Sequence, residues 1–204
     1  MKLWLYLIAD FSYGEEKITE SLRAGVDYIQ LREKNISSAE YLRRAQYLRE
    51  MVKRFGAKLI INDRLDIALL SGADGVHLGQ EDVPVKEARK LFGAGKIIGA
   101  TAKTAAQARQ AMEDGADYLG SGAWFSTTTK QDAVPISEEV YREILKKAPI
   151  PNVAVGGITA ENGSKPLKCG ASGLAVSAGI LNAARPAAEV QKIRELFIKF
   201  GKAE

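Results

Sequence analysis

The sequence predicts an α/β protein with a single (β/α)8 TIM barrel over residues 1–204, and two observations support this prediction. A glycine, one further residue and a short polar residue recur before an apolar stretch at Gly25, Gly72, Gly115 and Gly170. Each copy is typical of a helix end that passes into a buried parallel strand. A second apolar stretch fits inside each interval, so a repeat unit has about 24 residues and the chain holds about eight units.

The expected strands follow one another along the chain at these intervals. They are Leu3–Ala9, the four stretches that begin at the repeated glycines (25–29, 72–76, 115–119 and 170–174), Lys58–Asn62, Lys96–Ala100 and Val153–Gly157. The longer segments between them, such as Ala39–Phe55 and Pro186–Phe200, carry apolar residues at helical spacing. Strands that alternate with helices predict a parallel sheet. An open doubly wound sheet is the alternative, but it favours a glycine-rich first turn, and residues 10–14 read DFSYG.

Composition and charge narrow the class of protein. The chain is 46% hydrophobic and 26% charged, with a formal net charge of +4, as expected of a folded domain. The positive charge is not concentrated in runs, so nucleic acid is not an expected partner. The apolar stretch Leu3–Ala9 is too short to cross a bilayer, and no signal-like cleavage site follows it. We therefore expect a cytoplasmic protein that does not bind membranes, and the sequence leaves a homo-oligomer open.

Polar residues collect where the predicted strands end, and in a parallel barrel the site forms at the carboxyl ends of the strands. Side chains suited to an anion or a metal follow the second to the sixth strand: Gln30, Arg32, Lys34, Asn62, Asp63, Asp82, Thr101, Thr127, Thr129 and Lys130. The last two strands end instead in small residues, Gly157 and Ser177–Ala178, where backbone N–H groups suit a phosphate. This distribution predicts a site for two anions.

Asp63 and Asp82 follow neighbouring strands and can therefore reach one point. Hard oxygen ligands in a site with open positions suit Mg²⁺ that is shared with a substrate phosphate. Alternatively, each aspartate caps the helix that follows it, and Arg32, Lys34 and Lys130 are surface charges. Three cations and two carboxylates on one rim favour the anion site, because the cations would repel one another without a ligand.

Two further residues have a structural interpretation. His77 is the only histidine and lies between Val76 and Leu78, which favours a hydrogen-bonded structural role over general-base catalysis. Cys169 is the only cysteine, so the chain has no internal disulfide, and its place beside a predicted helix end favours packing over nucleophilic chemistry.

Five segments together resemble the thiamine phosphate synthase family, from Gln30 to about Ile180. They are residues 30–34 (QLREK), 62–68 (NDRLDIA), 75–82 (GVHLGQED), 127–130 (TTTK) and 156–158 (GGI). None of them is decisive alone, but their order and spacing make the combination specific.

The resemblance implies the transfer of a pyrimidine methylene group from hydroxymethylpyrimidine diphosphate to the nitrogen of hydroxyethylthiazole phosphate, which yields thiamine phosphate and diphosphate. It assigns the diphosphate to Gln30, Arg32, Lys34, Asn62 and Lys130, and Mg²⁺ to Asp63 and Asp82. It assigns the thiazole phosphate to Thr127, Thr129, Gly157 and Ser177–Ala178. Arg32, Lys34 and Lys130 would then be the catalytic residues, because they neutralise charge on the leaving group.

Three positions depart from the family pattern. Thr101, a candidate substrate-binding residue, replaces a serine and keeps the hydroxyl group. Gly179 shifts the usual Val-Ser-Ala-Ile segment by one residue. Trp124 replaces a smaller aliphatic residue, so it bears on the shape of the thiazole pocket rather than on the diphosphate half.

Three alternative functions remain open from the sequence. A related thiazole tautomerase commonly carries a histidine where this chain has Ala123, and it does not need the basic and acidic residues of the rim. A catalytically silent barrel would bind thiazole or thiamine phosphate as a sensor. A phosphate-binding barrel of another pathway, such as an epimerase, would share only Gly156–Gly157.

Overall fold

Eight parallel strands form a closed barrel in the computed structural model, which describes residues 3–126 and 135–201. The strands are β1 (Trp4–Ala9), β2 (Tyr28–Leu31), β3 (Lys58–Asn62), β4 (Gly75–Leu78), β5 (Ile97–Thr101), β6 (Tyr118–Ser121), β7 (Asn152–Val155) and β8 (Gly173–Val176). Each strand pairs with the next along the chain, and β8 closes the barrel on β1. The predicted fold class and all eight strands are confirmed.

Helices surround the barrel. They are α1 (Glu15–Arg23), α2 (Ser38–Lys53), α3 (Leu65–Ser71), α4 (Val85–Phe92), α5 (Ala105–Glu113), α6 (Glu138–Lys147), α7 (Ser164–Lys168), α8 (Ala178–Leu181) and α9 (Pro186–Phe200). Hydroxyl caps start three of them, because the side chains of Ser37, Thr104 and Ser137 accept hydrogen bonds from backbone N–H groups of the first turn. None of the helices in the described ranges is long and apolar enough to cross a membrane.

The repeated glycine motif lies at the amino ends of the strands. All four glycines have φ between +67° and +102°, a conformation that suits the chain reversal between a helix and a strand. The polar residue of each copy accepts a hydrogen bond from a backbone N–H of the neighbouring strand. The pairs are Asp27 with Leu5 (2.8 Å), Asp74 with Leu59 (2.8 Å), Asp117 with Ile98 (2.7 Å) and Ser172 with Asn152 (3.2 Å). These contacts tie the strands together in pairs.

An arginine from an outer helix reinforces each of the three acidic copies. Arg194, Arg49 and Arg89 pair with Asp27, Asp74 and Asp117 at 2.8, 3.3 and 2.6 Å. Each of these arginines also donates to the carbonyl oxygen of the glycine in the same copy. The amino end of the barrel is therefore held by charge-assisted hydrogen bonds between helices and strands.

Alternate residues of each strand point into the barrel. Tyr6, Ile60, Tyr118, Val153 and Ala175 form one buried cluster there, while the outer faces of the strands contribute to larger clusters beneath the helices. The interior has room for the ring of Tyr118 because Gly99 has no side chain, and a Cβ atom at that glycine would lie 2.1 Å from the ring. This packed layer fills the middle of the barrel, below a cavity at the carboxyl ends of the strands.

We expect Asp27→Ala to lower the free energy of unfolding by about 1–3 kcal/mol, because the buried backbone N–H of Leu5 loses its acceptor. Urea denaturation measures this change. Asp114→Ala is the matched control, since the Asp114 side chain contacts Gln110 at the surface, next to the glycine of the third copy. Equal stability of the two variants would contradict the role given to the acidic residue of the motif.

Candidate active site

A cavity of about 700 Å³ opens at the carboxyl ends of the strands. It brings together nine of the residues that the sequence predicts for the site: Gln30, Arg32, Asn62, Asp63, Asp82, Thr101, Gly157, Ser177 and Ala178. Strand position explains this, since Gln30, Asn62 and Thr101 lie on strands β2, β3 and β5 and share the inward-facing parity. The cavity thus combines cationic, anionic and amide groups with exposed backbone.

Of the other four predicted site residues, one does not line the cavity and three are not described by the structure. Lys34 is exposed on the loop that follows β2. Thr127, Thr129 and Lys130 lie outside the described residues.

Glu33 holds the loop that carries Arg32. The Glu33 side chain is only 4% exposed, and its Oε1 accepts hydrogen bonds from the Phe11 backbone N–H (3.1 Å) and from Arg44 Nη1 (3.0 Å). Arg32 directly precedes Glu33 in the chain and lines the cavity, so this anchor holds the segment from which Arg32 reaches the cavity.

Asp63 and Asp82 are neighbouring carboxyl groups that line the same cavity. Asp63 has φ +61°, which is unusual for a residue other than glycine and often marks a functional position. Partial burial inside the cavity and the neighbouring Asp82 raise the pKa of Asp63 to about 6, against an opposing effect of Arg32. Two carboxylates held this close repel each other when both are ionised, so a cation between them is favoured.

The alternative interpretation of the two aspartates as helix caps is not supported. Helix α3 begins after Arg64 and helix α4 after Pro84, and neither has a side-chain cap. Asp82 instead accepts a hydrogen bond from the Gly79 backbone N–H at 2.5 Å, within its own loop. In the described ranges no third His, Cys, Asp or Glu completes a metal cluster with them. Such a pair provides oxygen ligands and leaves coordination positions for a substrate.

A chain of hydrogen bonds crosses the floor of the cavity. Gln30 Nε2 contacts the Tyr6 hydroxyl (3.0 Å), and the Tyr6 and Tyr118 hydroxyls are 2.7 Å apart. His77 Nδ1 lies 3.0 Å from the Tyr118 hydroxyl, and His77 Nε2 lies 3.0 Å from Thr101 Oγ1. Five polar side chains are thereby satisfied in the interior of the barrel.

The prediction for His77 agrees with this arrangement, since both ring nitrogens have hydrogen-bond partners. Removal of the ring from bulk water lowers the pKa of His77 to about 4, so the imidazole is neutral at pH 7. Burial also raises the pKa values of Tyr6 and Tyr118, which therefore keep their protons. Sequence analysis missed both tyrosines, because their strands were treated as uniformly buried. Their alternation with the outward residues of β1 and β6 is the signal that identifies them.

The segments after β6 and β7 pack tightly against each other. The backbone N–H groups of Trp124 and Phe125 donate to the carbonyl oxygens of Val155 and Gly156, both at 3.1 Å. At Gly157, where φ is +65°, a Cβ atom would lie 2.6 Å from the carbonyl oxygen of Ser126. A larger side chain at this glycine would therefore displace the neighbouring backbone as well as obstruct the cavity.

Trp124 and Cys169 are packing residues. The Trp124 ring lies edge-on to Tyr141 with 4.7 Å between ring centroids, and it is not among the residues that line the cavity. Trp124 therefore does not narrow the described part of the cavity. Cys169 is buried beside Glu138 and Arg142, and burial raises the pKa of its thiol. A raised pKa and a location outside the cavity agree with the expected packing role.

We expect Asp63→Asn to raise the melting temperature of the metal-free protein at pH 8. The pKa of Asp63 is raised in the folded state from a usual value of 3.8, so ionisation of this group costs the native state stability as the pH rises from about 4 to about 6. Asparagine removes that cost and tolerates the positive φ. The difference between the variant and the wild type should shrink as the pH falls below 6, and calorimetry between pH 5 and 8 measures it.

Asp66→Asn is the control with the opposite sign, because Arg64 lowers the pKa of Asp66 and its carboxylate is favourable when ionised. A lower melting temperature for Asp63→Asn at pH 8 would contradict the repulsion described above.

Comparison with known proteins identifies relatives along nearly the whole chain. A family model described as thiamine monophosphate synthase matches residues 5–180. The thiamine-phosphate synthase of Clostridioides difficile is 47% identical over 196 residues, with 93% of each chain covered. That of Methanobrevibacter smithii is 43% identical over 190 residues, with 91% of each chain covered.

Solved structures agree with these relatives. Thiamine phosphate pyrophosphorylase from Pyrococcus furiosus superposes with a TM-score of 0.89 at 35% identity, and the match covers 98% of each chain. A 3-hexulose-6-phosphate synthase has a TM-score of 0.73 at 18% identity over 96% of this chain and 99% of that one, and it shows the barrel fold alone. The matches in sequence and in structure show that the chain belongs to the thiamine monophosphate synthase family.

Proposed function

We propose that the chain is a thiamine-phosphate synthase that joins hydroxymethylpyrimidine diphosphate to hydroxyethylthiazole phosphate, and that one barrel over residues 1–204 performs the reaction. The observation that carries this proposal is the Asp63–Asp82 pair, which lies with Arg32 in one cavity. A phosphate-binding barrel of another pathway is expected to share only Gly156–Gly157 with this cavity. Membership in the synthase family and the identity to named synthases support the same function.

The half of the cavity formed by β2, β3 and β4 is suited to a diphosphate. Arg32 offers a planar fork of donors, and the side-chain amides of Gln30 and Asn62 lie on the inward faces of adjacent strands. We place the diphosphate here, with Lys34 and Lys130 as further cations that neutralise it. The positive groups match the leaving group, on which negative charge increases during the reaction.

The donor set of the carboxylate pair fits Mg²⁺. Asp63 and Asp82 provide hard oxygen ligands, their mutual repulsion favours a cation, and the open positions suit phosphate oxygens. When bound, Mg²⁺ supplies positive charge next to the departing diphosphate. The protein contributes by fixing both carboxylates, one through the backbone conformation at Asp63 and the other through the Gly79 N–H.

The opposite half of the cavity is suited to the thiazole phosphate. Gly157, Ser177 and Ala178 line it with small side chains and exposed backbone. We assign the phosphate to this backbone, with Thr127 and Thr129 as additional contacts. Two anions then occupy opposite sides of one cavity, and the reacting carbon and nitrogen meet between them.

The chemistry requires no protein nucleophile. An aminopyrimidine is electron-rich and can stabilise a cation at its methylene group, so the carbon–oxygen bond breaks first and leaves its electron pair on the diphosphate. The thiazole nitrogen then forms its bond to the methylene cation. His77 is neutral and engaged at both nitrogens, and Cys169 is outside the cavity, so neither competes for this role. Catalysis depends on position and electrostatics.

Incubation of the purified protein with Mg²⁺ and both substrates tests the proposal, with mass spectrometry of the product and an assay of diphosphate release. We expect thiamine phosphate and diphosphate in equal amounts. Isomerisation of the thiazole carboxylate phosphate without condensation would identify a tautomerase instead. Binding of thiamine phosphate without diphosphate release from the substrate pair would identify a sensor.

We expect Asp82→Asn to lower kcat at least about tenfold at limiting Mg²⁺, with partial recovery at high Mg²⁺, because a neutral amide is a weaker ligand than a carboxylate. Titration of the rate with Mg²⁺ measures both effects. Glu81→Gln is the matched control, since it removes a neighbouring carboxylate from the same loop and cavity wall. A normal dependence on Mg²⁺ in Asp82→Asn would remove Asp82 from the metal site.

We expect Arg32→Ala to raise the KM for the pyrimidine diphosphate about tenfold or more, with little change in the KM for the thiazole phosphate, because the bidentate partner of the diphosphate is lost. Steady-state kinetics with each substrate varied in turn separates the two values. Arg64→Ala is the control, as Arg64 pairs with Asp66 and Ser38 outside the cavity. An increase confined to the thiazole phosphate would mean that the two halves are assigned the wrong way round.

A further inference from the structure

The hydrogen-bond chain on the cavity floor can run in only two directions. Each hydroxyl along it donates to one neighbour and accepts from the other, and a neutral imidazole donates through one nitrogen and accepts through the second. The direction at one end therefore determines the direction at every other position. This direction decides whether the hydroxyl of Thr101, the last residue of the hydrogen-bond chain, donates to His77 or accepts from it.

The Gln30 end determines this direction. Its amide nitrogen, which lies 3.0 Å from the Tyr6 hydroxyl, has hydrogens and no lone pair to offer, so Gln30 donates to Tyr6. The proton of Tyr6 then goes to Tyr118, which is 2.7 Å away, and the proton of Tyr118 goes to His77 Nδ1. The imidazole consequently carries its hydrogen on Nε2 and donates it to Thr101 Oγ1. Partners at 3.0 Å on both ring nitrogens fix the orientation of the ring.

The opposite direction leaves a proton without an acceptor. Thr101 would donate to Nε2, Nδ1–H to Tyr118 and Tyr118 to Tyr6, and the Tyr6 hydroxyl would then point its hydrogen at the hydrogens of Gln30 Nε2. Tyr6 is 1% exposed, so water cannot easily replace the missing acceptor. An unsatisfied hydroxyl in this position costs about 1–3 kcal/mol, which is enough to select the first direction.

We propose that Tyr6, Tyr118 and His77 are positioning residues that make Thr101 a hydrogen-bond donor toward the pyrimidine diphosphate substrate. Thr101 accepts from His77, so its own hydrogen remains for an acceptor in the cavity that Thr101 lines. It lies on β5, next to β4 and the loop that carries Asp82, and this places it on the side of the pyrimidine diphosphate. The choice of substrate rests on the proposed function, whereas the tautomer of His77 does not.

The tautomer can be measured directly because His77 is the only histidine in the chain. Long-range ¹H–¹⁵N correlation spectra of ¹⁵N-histidine-labelled protein at pH 7.5 distinguish a protonated ring nitrogen from a bare one. We expect a protonated Nε2 and a bare Nδ1 in the substrate-free protein. A protonated Nδ1, or averaged signals from two tautomers, would overturn the proposal. This measurement needs no turnover, so its outcome is independent of whether the synthase assignment is right.

Tyr118→Phe tests the link between the tyrosines and the histidine. The variant removes the donor to Nδ1 and keeps the ring, so we expect averaged signals from two tautomers. Tyr141→Phe is the matched control, because it removes a buried hydroxyl that contacts Asn152 away from the cavity. Its His77 signals should match those of the wild type. An unchanged single tautomer in Tyr118→Phe would show that the tyrosines do not set the direction. If Tyr118→Phe does not fold, the wild-type spectrum alone decides the question.

Thr101→Val tests the consequence for the substrate, because valine keeps the shape and removes the hydroxyl. We expect the KM for the pyrimidine diphosphate to rise about tenfold while the KM for the thiazole phosphate stays the same. Thr101→Ser should recover most of the loss, since it restores the donor. Tyr118→Phe should change the same constant in the same direction by a smaller factor. No change in Thr101→Val, or a change confined to the thiazole phosphate, would overturn the proposal that Thr101 donates a hydrogen bond to the pyrimidine diphosphate.

Discussion

The hydrogen bond between the hydroxyl groups of Tyr6 and Tyr118 determines what an eight-stranded barrel of this size can hold. Two aromatic rings from β1 and β6 meet in the interior, and glycine on the adjacent strand β5 provides the room for one of them. Together with the aliphatic side chains of Ile60 and Val153, they fill the barrel to mid-height. The polar residues of the cavity lie above that level, toward the carboxyl ends of the strands. The two hydroxyl groups mark the boundary between the apolar interior and the polar cavity.

Above this boundary the cavity contains acidic and basic side chains that do not fully neutralise one another. Partial burial and the neighbouring Asp82 raise the pKa of Asp63, and Arg32 offsets these two effects only in part. A site that the protein does not neutralise by itself retains affinity for ligands of both signs. The neutral floor contributes differently, because it offers directed hydrogen bonds and no net charge. The charged residues of the cavity thus attract ionic ligands, and the neutral residues of the floor orient them through hydrogen bonds.

The sequence predicts the framework well, because glycine followed two residues later by a short polar residue recurs at every second return from helix to strand, before β2, β4, β6 and β8. The end of each apolar stretch marks the carboxyl end of a strand, and this locates Arg32, Asp63 and Asp82. Tyr6 and Tyr118 are harder to predict, since a strand buried on both faces hides which residues point into the barrel. The close packing at Gly157 also depends on contacts between distant segments, which no local pattern contains. Lys34 follows a strand end, yet a strand end does not determine which way a long side chain turns.

The three aspartates that pair with arginines lie at the amino end of the barrel, and the cavity lies at the carboxyl end. The ion pairs that stabilise the barrel therefore lie apart from the groups that line the cavity. A library randomised at cavity residues other than Gly157 would leave these ion pairs intact and should retain a large folded fraction.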